Sequence, residues 1–298
     1  MTQKPVSATA YLPLLVSCLF WALGHPVGRI ILKTVHPFHL GAINLIVGFI
    51  VLLAYLAATG RLRLLGRFST ADLLSSLALG AVGFALYQVL TFSALSRIPA
   101  SVNAVLVSTN IMLIALFSVI FLRERVTWAR AVGIIGAFAG VALVTFNRGF
   151  ALNGGLDLTG CGFSLLAAVS FAAYTILGKR LVERNDPLIV TSLALFSGAV
   201  LLTAFSAVTI GFAPLRSAGG DAWWLMILLG ATMIGIAYPL WFDRLKRLPA
   251  SRASAFIYLT PVLAVILSFL ILGEHFSWPF YLGGGLVLGG VVISSSLR

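Results

Sequence analysis

Acidic side chains are scarce in this chain: 8 Asp and Glu stand among 298 residues, against 20 Lys and Arg. All of them (Asp72, Glu124, Asp157, Glu183, Asp186, Asp221, Asp243 and Glu274) fall at the ends of apolar runs or between them. No carboxylate sits near the middle of a run. That argues against a proton relay on a buried acid, an acidic site for a cationic drug, and paired-acid catalysis. Cysteine is nearly missing too, with only Cys18 and Cys161, and the 4 histidines show no ligand-like spacing. A disulfide framework, a metal site and a bound cofactor are therefore not expected, and the two cysteines read as small apolar fillers. Charged residues of all kinds make up 9% of the chain, too few for the surface of a soluble domain.

What is present is apolar. The chain is 60% hydrophobic, with a mean hydropathy of +1.07. In a bilayer such a sequence buries its side chains in lipid and satisfies its backbone within helices. A crossing needs about 20 apolar residues. Ten such runs lie near 10–32, 38–59, 71–94, 101–121, 128–146, 157–178, 187–211, 222–243, 251–272 and 278–296. The first run is too long for a signal peptide and lacks a small-residue cleavage site. The expected fold class is an all-α membrane protein of ten transmembrane helices.

The chain also repeats itself at an offset of 150 residues. Residues 94–101 read A-L-S-R-I-P-A-S, and residues 244–251 read R-L-K-R-L-P-A-S. Gly28 matches Gly178, Pro37 matches Pro187, and Gly80-Ala81 matches Gly230-Ala231. Glu124 and Trp128 match Glu274 and Trp278, and Gly140-Val141 matches Gly290-Val291. This divides the chain into 1–148, with spans one to five, and 149–298, with spans six to ten. Five is odd, so the second copy must enter the membrane from the opposite side. Inverted repeats are a signature of secondary transporters, whose pathway lies between the two units.

The basic residues orient the pair. With the N-terminus cytoplasmic, inside segments hold Lys4, Arg61, Arg63, Arg67, Arg123, Arg125, Arg130, Lys179, Arg180, Arg184, Arg244, Lys246, Arg247, Arg252 and Arg298. Outside segments hold only Arg29, Lys33, Arg97, Arg148 and Arg216. Lys and Arg on short loops set orientation, so both termini are expected in the cytoplasm. The net charge of +12 is then topological, and no nucleic-acid partner is implied. Ala94 and Ser96, on an external turn, become Arg244 and Lys246 on an internal one, as a duplicated unit turned upside down requires.

GxxxG patterns at Gly136–Gly140 and Gly285–Gly289 let helix backbones approach closely. They pack the repeats together or support a weak homodimer, so the chain is expected as a monomer or weak homodimer. The remaining polar residues within runs are costly in hydrocarbon unless they face protein or water. Trp21 lies near the centre of span one, with His25 a turn further out. Tyr87 and Gln88 lie in span three, Asn103 and Asn110 in span four. The second copy supplies Tyr174, Tyr238, Trp241, Tyr258 and Thr260. The offset pairs His25 with Thr175, Gln88 with Tyr238, and Asn110 with Thr260. Trp241 reads equally as an interfacial anchor, and Asn44 as an interhelical hydrogen-bonding group. His25 could instead cap carbonyls loosened by Pro26. Pro239 is expected to bend span eight. Arg29 and Lys179 hold equivalent places near opposite faces, where they snorkel or meet a substrate carboxylate at a gate. The expected substrate pathway is Trp21, His25, Tyr87, Gln88, Asn103, Asn110, Tyr174, Lys179, Tyr238, Trp241, Tyr258 and Thr260. No catalytic and no metal-binding residue is expected.

The pattern Trp21…Gly24…Arg29, with Phe171-Ala-Ala-Tyr174…Gly178-Lys179, resembles the drug/metabolite transporter superfamily. The run Leu248-Pro-Ala-Ser251…Tyr258-Leu-Thr-Pro261…Leu272-Gly-Glu274…Trp278 looks like the C-terminal half of an EamA-type unit. Arg97-Ile-Pro-Ala-Ser101…Glu124…Trp128…Gly133 repeats it more loosely. The chain departs at Ala22, where the family often has Gly, and at Ile111, where the first unit often has Pro. The resemblance implies a ten-helix alternating-access carrier of the bacterial inner membrane, with both termini cytoplasmic. It implies a cavity lined by spans one, three, four, six, eight and nine. Spans two and seven lie outside these, and five and ten at the periphery. Within the family the chain looks most like YddG-type exporters of aromatic and other amino acids. The expected activity is export of small metabolites, foremost neutral amino acids. A multidrug or hydrophobic-cation exporter, a nucleotide-sugar or phosphorylated-metabolite transporter, a channel and a membrane enzyme stay open as alternatives.

Overall fold

The computed structural model describes residues 11–122, 128–146, 157–245, 256–257, 259–276 and 278–296. Among these residues the chain is helical throughout, with no strand. The helices are α1 (Leu12–Ile31), α2 (Pro37–Ala58), α3 (Thr70–Leu95), α4a (Ala100–Val107) and α4b (Asn110–Leu122). They continue as α5 (Trp128–Phe146), α6 (Leu158–Arg184), α7 (Pro187–Thr209), α8 (Gly220–Arg244), α9 (Leu259–Leu272) and α10 (Trp278–Ser296). By length and composition α1, α2, α3, α6, α7 and α8 are each able to cross a membrane. Helix α6 runs to Arg184, two turns past the expected end at 178, because Lys179 to Arg184 extend it beyond the apolar run.

The helix starts follow local chemistry. His36 precedes Pro37 and its ring accepts from the Phe38 N–H at 3.3 Å. At the matching place Asp186 precedes Pro187 and accepts from Leu188 N–H at 2.9 Å. Proline suits the first helical position, and the polar side chain before it satisfies a free N–H. Between α4a and α4b the ladder is interrupted by Ser108 and Thr109. Each hydroxyl donates to the carbonyl three residues back, Val105 at 2.6 Å and Leu106 at 2.7 Å. Such bonds compete with the helical ladder. Span four is thus broken at the place where Pro261 stands in the second copy, although Ile111 replaces the proline.

Two wide π turns interrupt α3 and α8, at Ala81–Leu86 and Ala231–Ile236. They fall at the 150-residue offset. Helix α3 has no proline, so Pro239 is not what makes the turn in α8; the interruption belongs to the repeated unit. Just before each turn a glycine meets a helix of the other half. A Cβ on Gly80 would lie 2.1 Å from the Ala194 carbonyl oxygen, and one on Gly230 would lie 2.9 Å from that of Asn44. Asn44 and Ala194 are themselves 150 residues apart. The same contact is therefore made twice, with the halves exchanging roles.

The cores are built between the halves. Helix α2 packs on α7 and α8, α3 on α6 and α7, α1 on α9 and α8, and α5 on α10. Leu45, Leu52 and Leu56 of α2 are closed over by Leu188, Val190 and Leu195 of α7. Of the GxxxG glycines only Gly140 makes a close helix contact, its Cβ position lying 2.5 Å from the Gly283 carbonyl oxygen of α10. Gly136, Gly285 and Gly289 face open space. Cys18 and Cys161 are free and buried.

Candidate functional site

A cavity of about 420 Å³ lies between the halves, within the roughly 300–1,000 Å³ typical of small-molecule sites. Its lining includes Trp21, Gly24 and His25 from α1, Phe84, Tyr87, Gln88 and Thr91 from α3, and Ser108, Asn110 and Ile111 at the break in span four. The other half contributes Phe171, Tyr174 and Thr175 from α6, Val190 and Thr191 from α7, Met233, Tyr238, Trp241 and Phe242 from α8, and Thr260 and Pro261 from α9. Among the described residues that line it there is no Asp, Glu, Lys or Arg.

Aromatic rings form a continuous wall. Tyr87 meets Phe171 at 5.4 Å, Phe171 meets Tyr174 at 5.8 Å, and Tyr174 meets Phe84 at 5.4 Å. Phe84 continues to Tyr238 at 6.3 Å, Tyr238 to Trp21 at 5.8 Å, and Trp21 to Trp241 at 5.3 Å. Most are edge-on or tilted contacts, the arrangement ring quadrupoles favour. The wall crosses the boundary between halves five times.

The π turns help to hold it. The Trp21 indole N–H donates to the Met233 carbonyl at 2.9 Å, and the Ser170 hydroxyl to the Val82 carbonyl at 2.6 Å. Ser17 donates to the Ala237 carbonyl at 3.0 Å. Each turn therefore receives side-chain donors from the first helix of the opposite half. Pairing at the turns matters because a polar backbone group left bare within a bilayer is costly.

His25 has a different set of partners. Asn103 Nδ2 lies 3.2 Å from His25 Nδ1, and the Ser164 hydroxyl donates to Asn103 Oδ1 at 2.7 Å. Asn103 and Ser164 are fully buried. His25 is thus fixed by span four, with no bond to the carbonyls near Pro26 among its described contacts.

The end that carries the α3–α4a turn is tightly tied. The Glu274 carboxylate accepts from Ala100 N–H at 2.8 Å, from Ser101 N–H at 3.1 Å and from the Ser101 hydroxyl. It thereby caps α4a from the far half of the chain. Arg29 donates to the Leu95 carbonyl and lies within Coulomb range of Glu274. Arg97 bonds Asp157 at 2.9 Å, joining this turn to the start of α6. The Asp157 carboxylate also accepts from Thr159 and Gly160 N–H at 2.8 and 3.1 Å. Arg97 foremost, and then these N–H groups, hold its pKa below the usual carboxylate range. Lining residues at this end are closed off, with Leu95 at 0% and Phe92 at 2% exposure, whereas Val182 toward the other end is exposed, at 36%.

Of the residues expected to share a pathway, the cavity brings together Trp21, His25, Tyr87, Gln88, Asn110, Tyr174, Tyr238, Trp241 and Thr260. Asn103 stands behind His25 without lining the space, and Lys179 is not part of the lining. Tyr258 lies outside the described residues. Trp241 is 7% exposed and packs on Trp21; it is no interfacial anchor. Asn44 makes no interhelical hydrogen bond, since both its amide atoms are buried without a partner among the described residues. Span seven was expected outside the cavity, but Val190 and Thr191 at the start of α7 line it. Sequence reasoning also missed Ser164 and Thr91, since a hydroxyl in an apolar run carries no positional signal. Phe84 and Phe171 were missed as ordinary apolar residues, although Phe171 and Tyr174 sit at the i, i+3 spacing of one helix face.

A helical membrane fold with an aromatic, uncharged cavity between two like halves defines a multi-pass membrane transporter. The chain belongs to the EamA-like transporter family, which matches it twice, over residues 8–146 and 158–296. This is a family of transporters rather than enzymes. A transporter of Archaeoglobus fulgidus, described as uncharacterized, is 28% identical over 95% of this chain and 97% of its own length. A probable terminal-alkyne amino-acid exporter of Streptantibioticus cattleyicolor is 30% identical over 72% of this chain and 70% of its own. A solved crystal structure with 24% sequence identity superposes with a TM-score of 0.67 over 97% of this chain and 96% of that one, which shows a shared fold.

Proposed function

We propose that this protein exports neutral amino acids, aromatic ones included, by alternating access through the cavity between two inverted five-helix repeats. The observation that carries the reading is an aromatic wall in a cavity whose described lining offers hydroxyl, amide and imidazole groups and no charged side chain. A zwitterion brings its own balanced charges, so neutral polar groups are enough to replace its water, while rings such as Tyr87, Phe171 and Tyr238 suit an apolar or aromatic side chain. The similarity to an amino-acid exporter of Streptantibioticus cattleyicolor supports the same class. The drug and nucleotide-sugar alternatives lack a matching observation, since the described lining residues offer neither a carboxylate for a cation nor an Arg–Lys pair for a phosphate.

In this reading ten helices cross the bacterial inner membrane and both termini are cytoplasmic. The residues 1–148 and 149–298 are the two units. The end tied by Glu274 is then the external one, closed in this state, and opening it requires α4a to leave the Glu274 carboxylate. Reconstituted proteoliposomes offered a panel of amino acids, sugars, nucleotides and organic cations test the substrate class. Phenylalanine, tryptophan and leucine should compete for flux while nucleotides and cations do not. Failure of every amino acid to move in either direction would refute the proposal.

A further inference from the structure

Among the described lining residues a carboxylate entering this cavity meets neutral donors and no Lys or Arg, and one of those neutral donors is placed to receive it. His25 is placed to do so by two residues behind it. The Ser164 hydroxyl occupies the carbonyl oxygen of Asn103 at 2.7 Å, which leaves the amide NH2 to face the imidazole at 3.2 Å. An NH2 group only donates, so Nδ1 of His25 accepts. The neutral ring then carries its proton on Nε2, the nitrogen left for the cavity that His25 lines. A second proton on Nδ1 would set N–H against N–H, so the arrangement disfavours imidazolium. Among the described residues the other titratable side chains of the lining are the phenols Tyr87, Tyr174 and Tyr238, none of which supplies a charge to offset that conflict.

We infer that His25, held as the neutral Nε2–H tautomer, is the hydrogen-bond donor that receives the substrate carboxylate, and that Asn103 and Ser164 are the positioning residues that fix the tautomer. This assignment rests on the proposed amino-acid pathway and names the group within it that recognises the acid end. It makes His25 a recognition residue rather than a proton carrier. Asn103 and Ser164 come from opposite halves of the chain, α4a and α6, and reach His25 on α1. The chain Ser164–Asn103–His25 is thus assembled only when the halves are packed together.

The test compares phenylalanine with phenylalaninamide in proteoliposomes, at a pH where both carry the ammonium group. The two share ring and ammonium and differ in the carboxylate. The natural protein should move the acid at least roughly 10-fold faster than the amide, because a neutral carbonyl is a weaker acceptor than a carboxylate and the NH2 beside it cannot accept at all. His25→Leu and Asn103→Leu should bring the ratio close to one while amide flux persists. Asn103→Asp replaces the donor by an acceptor, moves the ring proton to Nδ1, and should also remove the preference. A purely structural role for Asn103 would lower both fluxes together and leave the ratio unchanged, which would overturn the assignment. Imidazole nitrogen-15 NMR of the unaltered protein gives a reading independent of any variant. A protonated Nδ1 on His25 would overturn the assignment, and a protonated Nε2 would support it. If the unaltered protein moves no amino acid, the substrate class itself is refuted, an outcome distinct from a preserved acid preference in the variants.

Discussion

Trp21 shows how a single side chain serves both scaffold and cavity. Its indole N–H is committed to the Met233 carbonyl, and its ring bridges Tyr238 and Trp241. Trp21→Phe keeps most of the ring and removes the bond; it should cost about 1 kcal/mol of thermal stability in detergent, the net worth of such a bond. The Arg97–Asp157 pair sits in water-accessible turns and responds to pH. The Asp157 pKa is lowered in the folded protein. Its contribution is therefore complete above the ordinary carboxylate value and is lost as pH falls through the lowered one. Thermal stability should decline on acidification below about pH 4, and Arg97→Gln should flatten that decline. Much of the site was legible at this scale. His25, Gln88 and Asn110 stand out because an amide or imidazole within an apolar run demands a reason. Ser164 did not, because a helical serine is able to satisfy its hydroxyl on the carbonyl a turn back and so demands no partner elsewhere.

At the scale of elements, the repeated glycines and the repeated glutamate mark where helices touch. Gly80→Val would drive a branched side chain against the Ala194 backbone, which cannot yield as a flexible side chain does. The expected loss is about 1–3 kcal/mol or more, read as a lowered unfolding temperature, whereas Gly285→Ala faces open space and should change little. Glu274→Gln keeps the shape of the α4a cap and loses its charge. Charge-assisted bonds are worth about 1.5–3 kcal/mol. The population open at that end should rise roughly tenfold. A cysteine placed at Ala104 and labelled from the side of the α3–α4a turn reads this out, and an unchanged rate removes Glu274 from the closure. The glutamate was visible in the sequence as half of a repeated motif. Its partner was not, because a capping contact between residues 274 and 100 leaves no trace in local spacing. The π turns were hidden for a similar reason. They change how the backbone bonds along α3 and α8 without interrupting the apolar run.

On the scale of the whole molecule, the helices that pack most closely belong to different halves: α2 with α7, α3 with α6, α1 with α9, and α5 with α10. The boundary near residue 150 therefore divides the sequence and not the core. Residues 1–148 or 149–298 produced alone should fail to accumulate as folded protein, because each would expose to lipid the polar groups that the other covers. Co-produced, the two should reassemble and restore transport. Accumulation of either half as a monodisperse, thermally stable protein would contradict this. Topology is open to an equally direct check. Reporters fused to either terminus should both be active only in the cytoplasm, as the distribution of Lys and Arg requires.

The membrane class, the repeat, the orientation expected of its turns and most of the polar residues around the cavity can be read from the chain alone. These follow from composition and offset, since hydrocarbon tolerates few charges and a duplicated unit keeps its glycines, prolines and turn motifs in register. Which residues meet is set by the packing of the helices: Asn103 behind His25 rather than in the cavity, Trp241 against Trp21 rather than at the lipid surface, α7 as part of the lining, Glu274 on α4a. Each of these pairings joins distant parts of the chain. A contact between helices depends on the rotation and depth of both, and apolar runs that are hydrophobic on every side carry little record of either.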